Sequence, residues 1–310
     1  MTCIKKYIPI LVIVIIISLL TGCTQDDPGT PVITVTDSAG TTIALEKAPK
    51  RVAVLFSSLA DIWISAGGSI DITVKESIER GFADNSVILV DSGAGKSIDT
   101  EALIAAQPDL VIASADVPAQ CAAVRLCKDA GIPAGVFHVE SFEDYLQVLK
   151  TFTQITGNTE NYQKYGADLE TQIQTLIENF RSSENTPSVL FIRSGSSERS
   201  MKAKSTKDHF ACRMLNELGA VNIADFAPIL LDGLSVEEIL HRDPDYILIS
   251  TMGDETAAIE YTRSVFSQPQ WQALQAVQNE NVIYLSKDLF QYKPNANWAQ
   301  AYLELIDILQ

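Results

Sequence analysis

Short, wholly apolar runs alternate with helical patterns through most of this chain, and this alternation limits the folds open to it. Such runs stand at 51–56, where the apolar residues follow Arg51, at 87–90, 110–113 and 134–137, and again at 189–192, 246–249 and 282–285. Strands that are apolar on both faces are typical of parallel sheets covered by helices, and their alternation with helices is typical of α/β folds. The sequence therefore predicts two Rossmann-like α/β lobes, each built on a parallel sheet.

The two sets of strands are separated by a long stretch that carries no strand signal. Large apolar residues recur in it at helical spacing, namely Phe142, Tyr145, Leu149, Phe152 and Ile155, and a second helical pattern follows Gly157. A strandless stretch of this length is unusual inside one α/β domain. We expect an N-terminal lobe at 35–140, an inter-lobe helical segment at 141–183 and a C-terminal lobe at 184–310.

The two lobes share a local pattern, in which a helix with an early acidic residue ends shortly before Pro-Asp and an apolar strand. It occurs at 99–112, with Pro108-Asp109, and at 235–248, with Pro244-Asp245. Pro-Asp by itself is a common turn between a helix and a strand. Its presence at matching places in both sets of strands suggests that the lobes are related halves.

The N-terminus predicts export and lipid anchoring. Lys5 and Lys6 precede an apolar run at 8–20, which is too short for an ordinary membrane-spanning helix. The following Leu-Thr-Gly-Cys, at 20–23, resembles the lipobox of bacterial lipoproteins, in which cleavage precedes a cysteine that is then lipidated. We expect a signal peptide at 1–22, lipidation of Cys23, a flexible tether at 23–34 and an extracytoplasmic location at the cell membrane. An uncleaved anchor or a buried segment is the alternative.

Charge and cysteine content exclude two classes of protein. With 23 Lys and Arg against 39 Asp and Glu, the net charge is −16, which argues against a nucleic-acid partner. Once Cys3 leaves with the leader and Cys23 is lipidated, only Cys121, Cys127 and Cys212 remain. An odd number argues against a disulfide framework, and we expect these three cysteines to be small buried residues.

Ligands of open α/β sheets bind at the loops that follow the carboxyl ends of the strands. Several basic residues also crowd into the stretch 193–207, which favours an anionic ligand; a solvated basic loop is the alternative. The predicted ligand-binding residues are Ser57, Ser58, Trp63, Arg80, Ser114, Asp116, Arg193, Ser194, Lys202, Lys204, Met252, Tyr292 and Lys293.

Together, segments 35–40, 49–54, 66–67, 101–112, 130–133, 217–223 and 234–237 resemble the substrate-binding proteins of ABC importers for siderophores, haem and vitamin B12. The resemblance implies two α/β lobes joined by one long helix, with the ligand in the cleft between them. It also implies a monomer without a cofactor, which delivers an iron- or cobalt-containing ligand to a permease dimer with ATPase subunits. Glu101 and Glu237 match the family's glutamates that engage permease arginines, although helix dipoles alone also favour acids at such positions.

Other functions receive less support from the sequence. The three histidines, His138, His209 and His241, are scattered, so a three-histidine zinc site is poorly supplied. Haem ligation would use His209, Met201, Met252 or Tyr292.

A secreted hydrolase would need Ser57 or Ser194 with His138 or His209, yet no Gly-x-Ser-x-Gly motif is present. The glycine-rich run at 93–97 lacks the first glycine of a P-loop. A purely structural surface lipoprotein is the remaining alternative.

Overall fold

A computed structural model describes residues 33–91, 97–181 and 186–310. The signal peptide, Cys23, most of the predicted tether and most of the glycine-rich run therefore lie outside the described residues. The last two tether residues, Ile33 and Thr34, belong to the first strand instead. Within the described part of the chain, no helix is both long enough and apolar enough to cross a membrane.

The described chain begins with an antiparallel hairpin, β1 (Ile33–Thr36) and β2 (Thr42–Leu45). Its turn is organised by Asp37, whose carboxylate accepts hydrogen bonds from the amides of Ala39 at 3.0 Å and Thr41 at 2.8 Å. The same carboxylate accepts one from the amide of Val136 at 3.2 Å. One buried aspartate thus forms the turn and ties the hairpin to the N-terminal sheet.

The N-terminal lobe contains a five-stranded, fully parallel sheet in the order β5-β4-β3-β6-β7. Its strands are β3 (Val52–Val54), β4 (Ile72–Thr73), β5 (Ile88–Leu89), β6 (Leu110–Ser114) and β7 (Ala134–Phe137). The helices around them are α1 (Ser57–Ser65), α2 (Lys75–Glu79), α3 (Thr100–Ala105) and α4 (Pro118–Asp129). Every residue of β3 and β6 is buried, as expected for central strands covered on both faces.

Helices connect the two sheets. Helix α5 (Phe142–Thr156) starts at a capping box formed by Ser141 and Asp144 and ends at Gly157, which adopts the left-handed conformation with φ 74°. Helix α6 (Thr159–Tyr162), a π-helical turn (Gln163–Ala167) and α7 (Asp168–Arg181) then follow without a break. At 1.5 Å per residue this second helical stretch spans about 35 Å. It contacts α5 and, further along, the C-terminal helix of the chain.

The C-terminal lobe repeats the parallel arrangement, with the order β10-β8-β11-β12. Its strands are β8 (Ser188–Ser194), β9 (Lys202–Ala203), β10 (Val221–Asn222), β11 (Tyr246–Thr251) and β12 (Val282–Tyr284). Its helices are α8 (Phe210–Glu217), α9 (Ile229–Asp232), α10 (Val236–Arg242), α11 (Glu255–Phe266), α12 (Gln275–Gln278), α13 (Lys287–Phe290) and α14 (Trp298–Leu309). Only the short β9 runs antiparallel, beside β8. The predicted α/β class with two parallel sheets is confirmed.

The repeated Pro-Asp pattern has the same structural role in both lobes. The carboxylate of Asp109 accepts hydrogen bonds from the amides of Lys50 at 2.8 Å and Arg51 at 2.9 Å, just before β3. The carboxylate of Asp245 accepts one from the amide of Ser188 at 2.7 Å, at the first residue of β8. Each aspartate therefore fixes the entry of the first strand of its own sheet.

Replacement of Asp109 or Asp245 by alanine is expected to lower the free energy of unfolding by about 1–2 kcal/mol, since each change leaves strand-entry amides without their carboxylate acceptor. Urea denaturation measures the effect. Asp129→Ala is the control, because Asp129 is an exposed residue at the end of α4. Equal stability of all three variants and the unmodified protein would contradict this role.

Candidate functional site

A cavity of about 240 Å³ lies between the two lobes. Its walls are formed at or just beyond the carboxyl ends of β3, β6, β7 and β8, which is where open parallel sheets bind ligands. Both lobes contribute to the lining, which consists of Phe56, Ser58, Leu59, Ser114, Asp116, Phe137, Val139, Glu140, Arg193, Asp208, His209, Phe210, Gln291, Tyr292 and Lys293.

Two cations form the charged wall of this cavity. The Nε of Arg193 is buried and has no hydrogen-bond partner among the described residues. Lys293 pairs with Glu140 across the cleft at 2.5 Å, and its Nζ lies 4.6 Å from the ring centroid of Phe210. Burial lowers the pKa of both cations, and the negative charge of Glu140 acts in the opposite direction. The wall is therefore suited to a negatively charged ligand group.

A second polar cluster adjoins the cavity at Arg80. Its Nη1 donates to the hydroxyls of Ser57 at 3.0 Å and Ser58 at 3.2 Å. Its guanidinium lies 4.0 Å from the ring centroid of Tyr292, a residue of the C-terminal lobe. The hydroxyl of Ser57 donates to Glu76 at 2.5 Å. This cluster holds the N-terminal rim of the cleft against the C-terminal lobe.

His209 is a neutral hydrogen-bond donor in the cavity wall. It is 5% exposed and stacks against Phe191 at 4.8 Å and Phe210 at 4.6 Å between ring centroids. Burial, followed by the charges of Lys293, Arg193 and Lys204, holds its pKa well below the usual value. Its Nδ1 accepts a hydrogen bond from the amide of Ala211 at 3.2 Å, which assigns the proton to Nε2. In this tautomer Nε2 carries the proton, so it can act as a hydrogen-bond donor and offers no lone pair to a haem iron.

The structure brings together only some of the residues predicted to bind ligand. Ser58, Ser114, Asp116, Arg193, Tyr292 and Lys293 line the cavity, and Ser57 and Arg80 contact its rim. Trp63 instead packs edge-on against Phe152 at 5.4 Å and donates to the carbonyl of Ser69 at 2.8 Å. With 2% of its surface exposed, Trp63 belongs to the core of the N-terminal lobe.

Four predicted residues of the C-terminal lobe lie outside the cavity lining. Ser194 is fully buried and donates to the carbonyl of its neighbour Gly195 at 3.0 Å. Met252 is half-buried beyond the end of β11. Lys202, on β9, is exposed and borders a separate groove, and Lys204, two residues further along, is half-buried. Both therefore lie outside the cavity lining, although Lys202 is the strand partner of Arg193 and the charge of Lys204 lowers the pKa of His209.

Several cavity residues were not predicted from the sequence. Phe56 and Phe137 were detectable in principle, because each lies at the end of an apolar run that forms a strand. Asp208, Phe210 and Gln291 follow no strand and carry no local signal. Only the approach of the two lobes places them at the cavity.

The contacts of the serines and histidines differ from those a hydrolase needs. Ser57 donates to Glu76 and Ser194 to a carbonyl, so neither hydroxyl pairs with a histidine. His138 instead contacts Asp116 at 2.8 Å.

Met201, considered for haem ligation, is 5% exposed in the C-terminal core. Across the described residues, no group of three or more His, Cys, Asp or Glu is placed to hold a metal ion.

The three cysteines of the described residues are free thiols. Cys127 and Cys212 are buried and Cys121 is half-buried. Burial raises the pKa of Cys127 to about 11 and that of Cys212 well above its usual value. The thiols of Cys127 and Cys212 are therefore unreactive packing groups.

Glu101 and Glu237 occupy equivalent positions in the two lobes. Each is the second residue of a short helix, α3 or α10, and each is exposed. The preceding caps also correspond: Asp99 accepts from the amide of Ala102 at 2.9 Å, and Ser235 accepts from that of Glu238 at 3.4 Å. Both carboxylates are exposed to solvent at the starts of their helices.

Comparisons with known proteins agree with this architecture. One relative is YvrC of Bacillus subtilis, an uncharacterized ABC transporter substrate-binding lipoprotein. The two sequences are 24% identical over an alignment that covers 83% of this chain and 79% of YvrC. The siderophore-binding protein BauB shares its fold with TM-score 0.69 and 17% identity, over 90% of this chain and 98% of that one. The haem-binding protein RhuT of Roseiflexus shares the fold with a TM-score of 0.68 and 19% identity, over 84% of this chain and 97% of RhuT. Residues 52–289 match the family described as periplasmic binding protein, and the chain belongs to that family.

Proposed function

We propose that this chain is the substrate-binding lipoprotein of an ABC importer, which captures an anionic iron chelate outside the cytoplasm and delivers it to a permease. The observation that carries the proposal is the buried Nε of Arg193, which has no partner among the described residues and lies in the wall of the inter-lobe cavity. A buried donor of this kind is costly unless a ligand satisfies it. A ligand carboxylate or another anionic oxygen meets that need.

The relatives support a transport role. YvrC carries the description of an ABC transporter substrate-binding lipoprotein, and the two solved neighbours bind a siderophore complex and haem. A corrinoid was the third ligand class expected from the sequence. Binding pockets for drug-sized ligands typically measure about 300–1,000 Å³, so a cavity of about 240 Å³ must open before a macrocycle enters. The cationic wall and the donor tautomer of His209 favour an iron chelate over haem.

Uptake in the native host tests the proposal. Deletion of the gene should abolish import of one class of ferric chelate, followed with radioactive iron, and a plasmid copy should restore it. A secreted hydrolase would instead convert an ester or glycoside substrate, so the purified protein should be assayed for turnover in parallel. Normal import of every chelate by the deletion strain would overturn the transport role.

Anchoring through Cys23 is part of the proposal. The sequence 20–23, with an apolar run before it, supports cleavage before Cys23 and lipidation of its thiol. Cys23→Ser should therefore release the protein into the medium or leave an unprocessed precursor, as cell fractionation and mass spectrometry would reveal. Cys121→Ser is the matched control and should remain in the membrane fraction. Membrane retention of a correctly cleaved Cys23→Ser protein would count against lipid anchoring.

Docking is proposed to use Glu101 and Glu237, with a permease dimer and its ATPase subunits as partners. Their equivalent positions in related lobes suit a partner built from two similar subunits. We expect the binding protein itself to act as a monomer.

A further inference from the structure

Two half-buried cations of the cavity, Arg193 and Lys293, interact with one carboxylate, that of Glu140. Oε2 of Glu140 lies 2.5 Å from Nζ of Lys293, and the two side chains are 28% and 21% exposed. Arg193 lies on the same wall, and its positive charge lowers the pKa of Lys293. Glu140 favours the charged form of both cations. The inner wall therefore holds two positive charges and one carboxylate in direct contact with Lys293, and Asp116 also favours the charged form of Lys293.

The other carboxylates that line the cavity have partners elsewhere. Asp116 is 58% exposed and contacts Nδ1 of His138 at 2.8 Å. Asp208 accepts a hydrogen bond from the amide of Ser205 at 3.3 Å. Solvent screens an exposed carboxylate such as Asp116. The missing negative charge therefore has to come from the ligand.

Neutral polar groups add a second requirement. Oε1 of Gln291 is buried without a hydrogen-bond partner among the described residues, and Gln291 lines the cavity. It needs an O–H or N–H donor from the ligand. The Nε2–H of His209 needs an acceptor. A hydroxyl beside carboxylates meets both requirements and also fits a compact space of about 240 Å³.

We propose that Glu140 is an internal competitor of the ligand, holding Lys293 in the empty protein until a hydroxycarboxylate, free or as its ferric complex, displaces it and pairs with Arg193 and Lys293. This inference rests on the binding role proposed above and narrows its ligand class. The geometry supports displacement, because Glu140 and Lys293 come from opposite lobes. The amide of Glu140 also donates to Asp144 at 2.9 Å, so its backbone is fixed at the start of α5 while its side chain can swing away.

Glu140→Gln removes the competing charge and keeps the shape of the side chain. We expect it to tighten binding of citrate and ferric citrate about tenfold in calorimetric titrations, because close charge pairs at interfaces have couplings of this size or larger. Glu238→Gln is a matched control. Glu238 is also 28% exposed and pairs with Arg242 at 2.6 Å, but on α10, away from the cavity. The Glu238→Gln protein should bind citrate and ferric citrate with the same affinity as the unmodified protein.

Thermal unfolding gives a second readout. Without ligand, Glu140→Gln should melt at a lower temperature, since Lys293 loses its partner, and citrate should raise that temperature more than in the unmodified protein.

Unchanged or weaker citrate binding by Glu140→Gln would overturn the proposal. Failure of both proteins to bind citrate would overturn it as well. Hemin and cyanocobalamin are titrated alongside. Binding of either one in place of citrate would refute the hydroxycarboxylate class and leave the transport role standing, which uptake in the native host tests separately.

Discussion

Arg193→Gln is expected to weaken capture of the native ligand about a hundredfold or more. The substitution keeps a polar side chain of similar length but removes the charge that the ligand anion pairs with. Loss of one partner from a buried charged contact costs about 2–5 kcal/mol, and each 1.4 kcal/mol is a factor of ten in affinity. Fluorescence or calorimetric titration with the ligand identified from the host measures the change.

The control for this experiment is Arg125→Gln, which removes the same charge from an exposed position on α4. It should bind as the unmodified protein does. Arg193→Gln itself should fold normally, because it relieves a buried cation whose Nε has no partner among the described residues. Native affinity in a folded Arg193→Gln protein would show that the cationic wall does not contact the ligand.

Glu101→Arg combined with Glu237→Arg should abolish ligand-dependent uptake while leaving ligand affinity nearly unchanged. Both side chains are exposed at the starts of α3 and α10, so charge reversal disturbs little of the fold. Opposed like charges at an interface cost several kcal/mol, which is enough to prevent docking on permease arginines. Radioactive iron uptake and a binding titration on the same variant separate the two steps.

A second double variant, Glu160→Arg with Glu178→Arg, controls for net charge. Glu160 is likewise an exposed second residue of a helix, α6, and Glu178 is exposed on α7. Uptake should survive this change. Full uptake by the Glu101 and Glu237 variant would exclude these residues as the docking pair, and a parallel loss of affinity would place them at the ligand instead.

The architecture was predictable where apolar runs were long. Strands β3, β6, β8 and β11 are buried over most of their length, so their sequences carry an uninterrupted apolar signal. The two-residue strands β4, β9 and β10 carry no such pattern, because pairing with a longer neighbour is what makes them strands. Pro108-Asp109 and Pro244-Asp245 were recognised as a repeat, but the amide acceptors they provide became visible only in three dimensions.

The candidate site was predictable only in part. Arg193 and Ser114 were predicted because each lies at the carboxyl end of a central strand, where open parallel sheets bind ligands. Trp63 was predicted to bind ligand but packs in the core of the N-terminal lobe, since helical periodicity does not tell which face of α1 packs against Phe152. Gln291 was not among the predicted ligand-binding residues, and the contact of Glu140 with Lys293 was not foreseen. Both depend on contacts between lobes, which sequence spacing does not encode.

We propose that the cavity between the lobes carries an anionic chelate to an importer. Mass spectrometry and absorption spectroscopy of the protein, purified without denaturation from membranes of its native host, test this proposal directly. We expect a bound ferric chelate at near-equal amounts of ligand and protein, and its loss from Arg193→Gln prepared in the same way. Purified protein that carries no small molecule would contradict this role of the cavity. A small molecule that Arg193→Gln retains in the same amount as the unmodified protein would also contradict it.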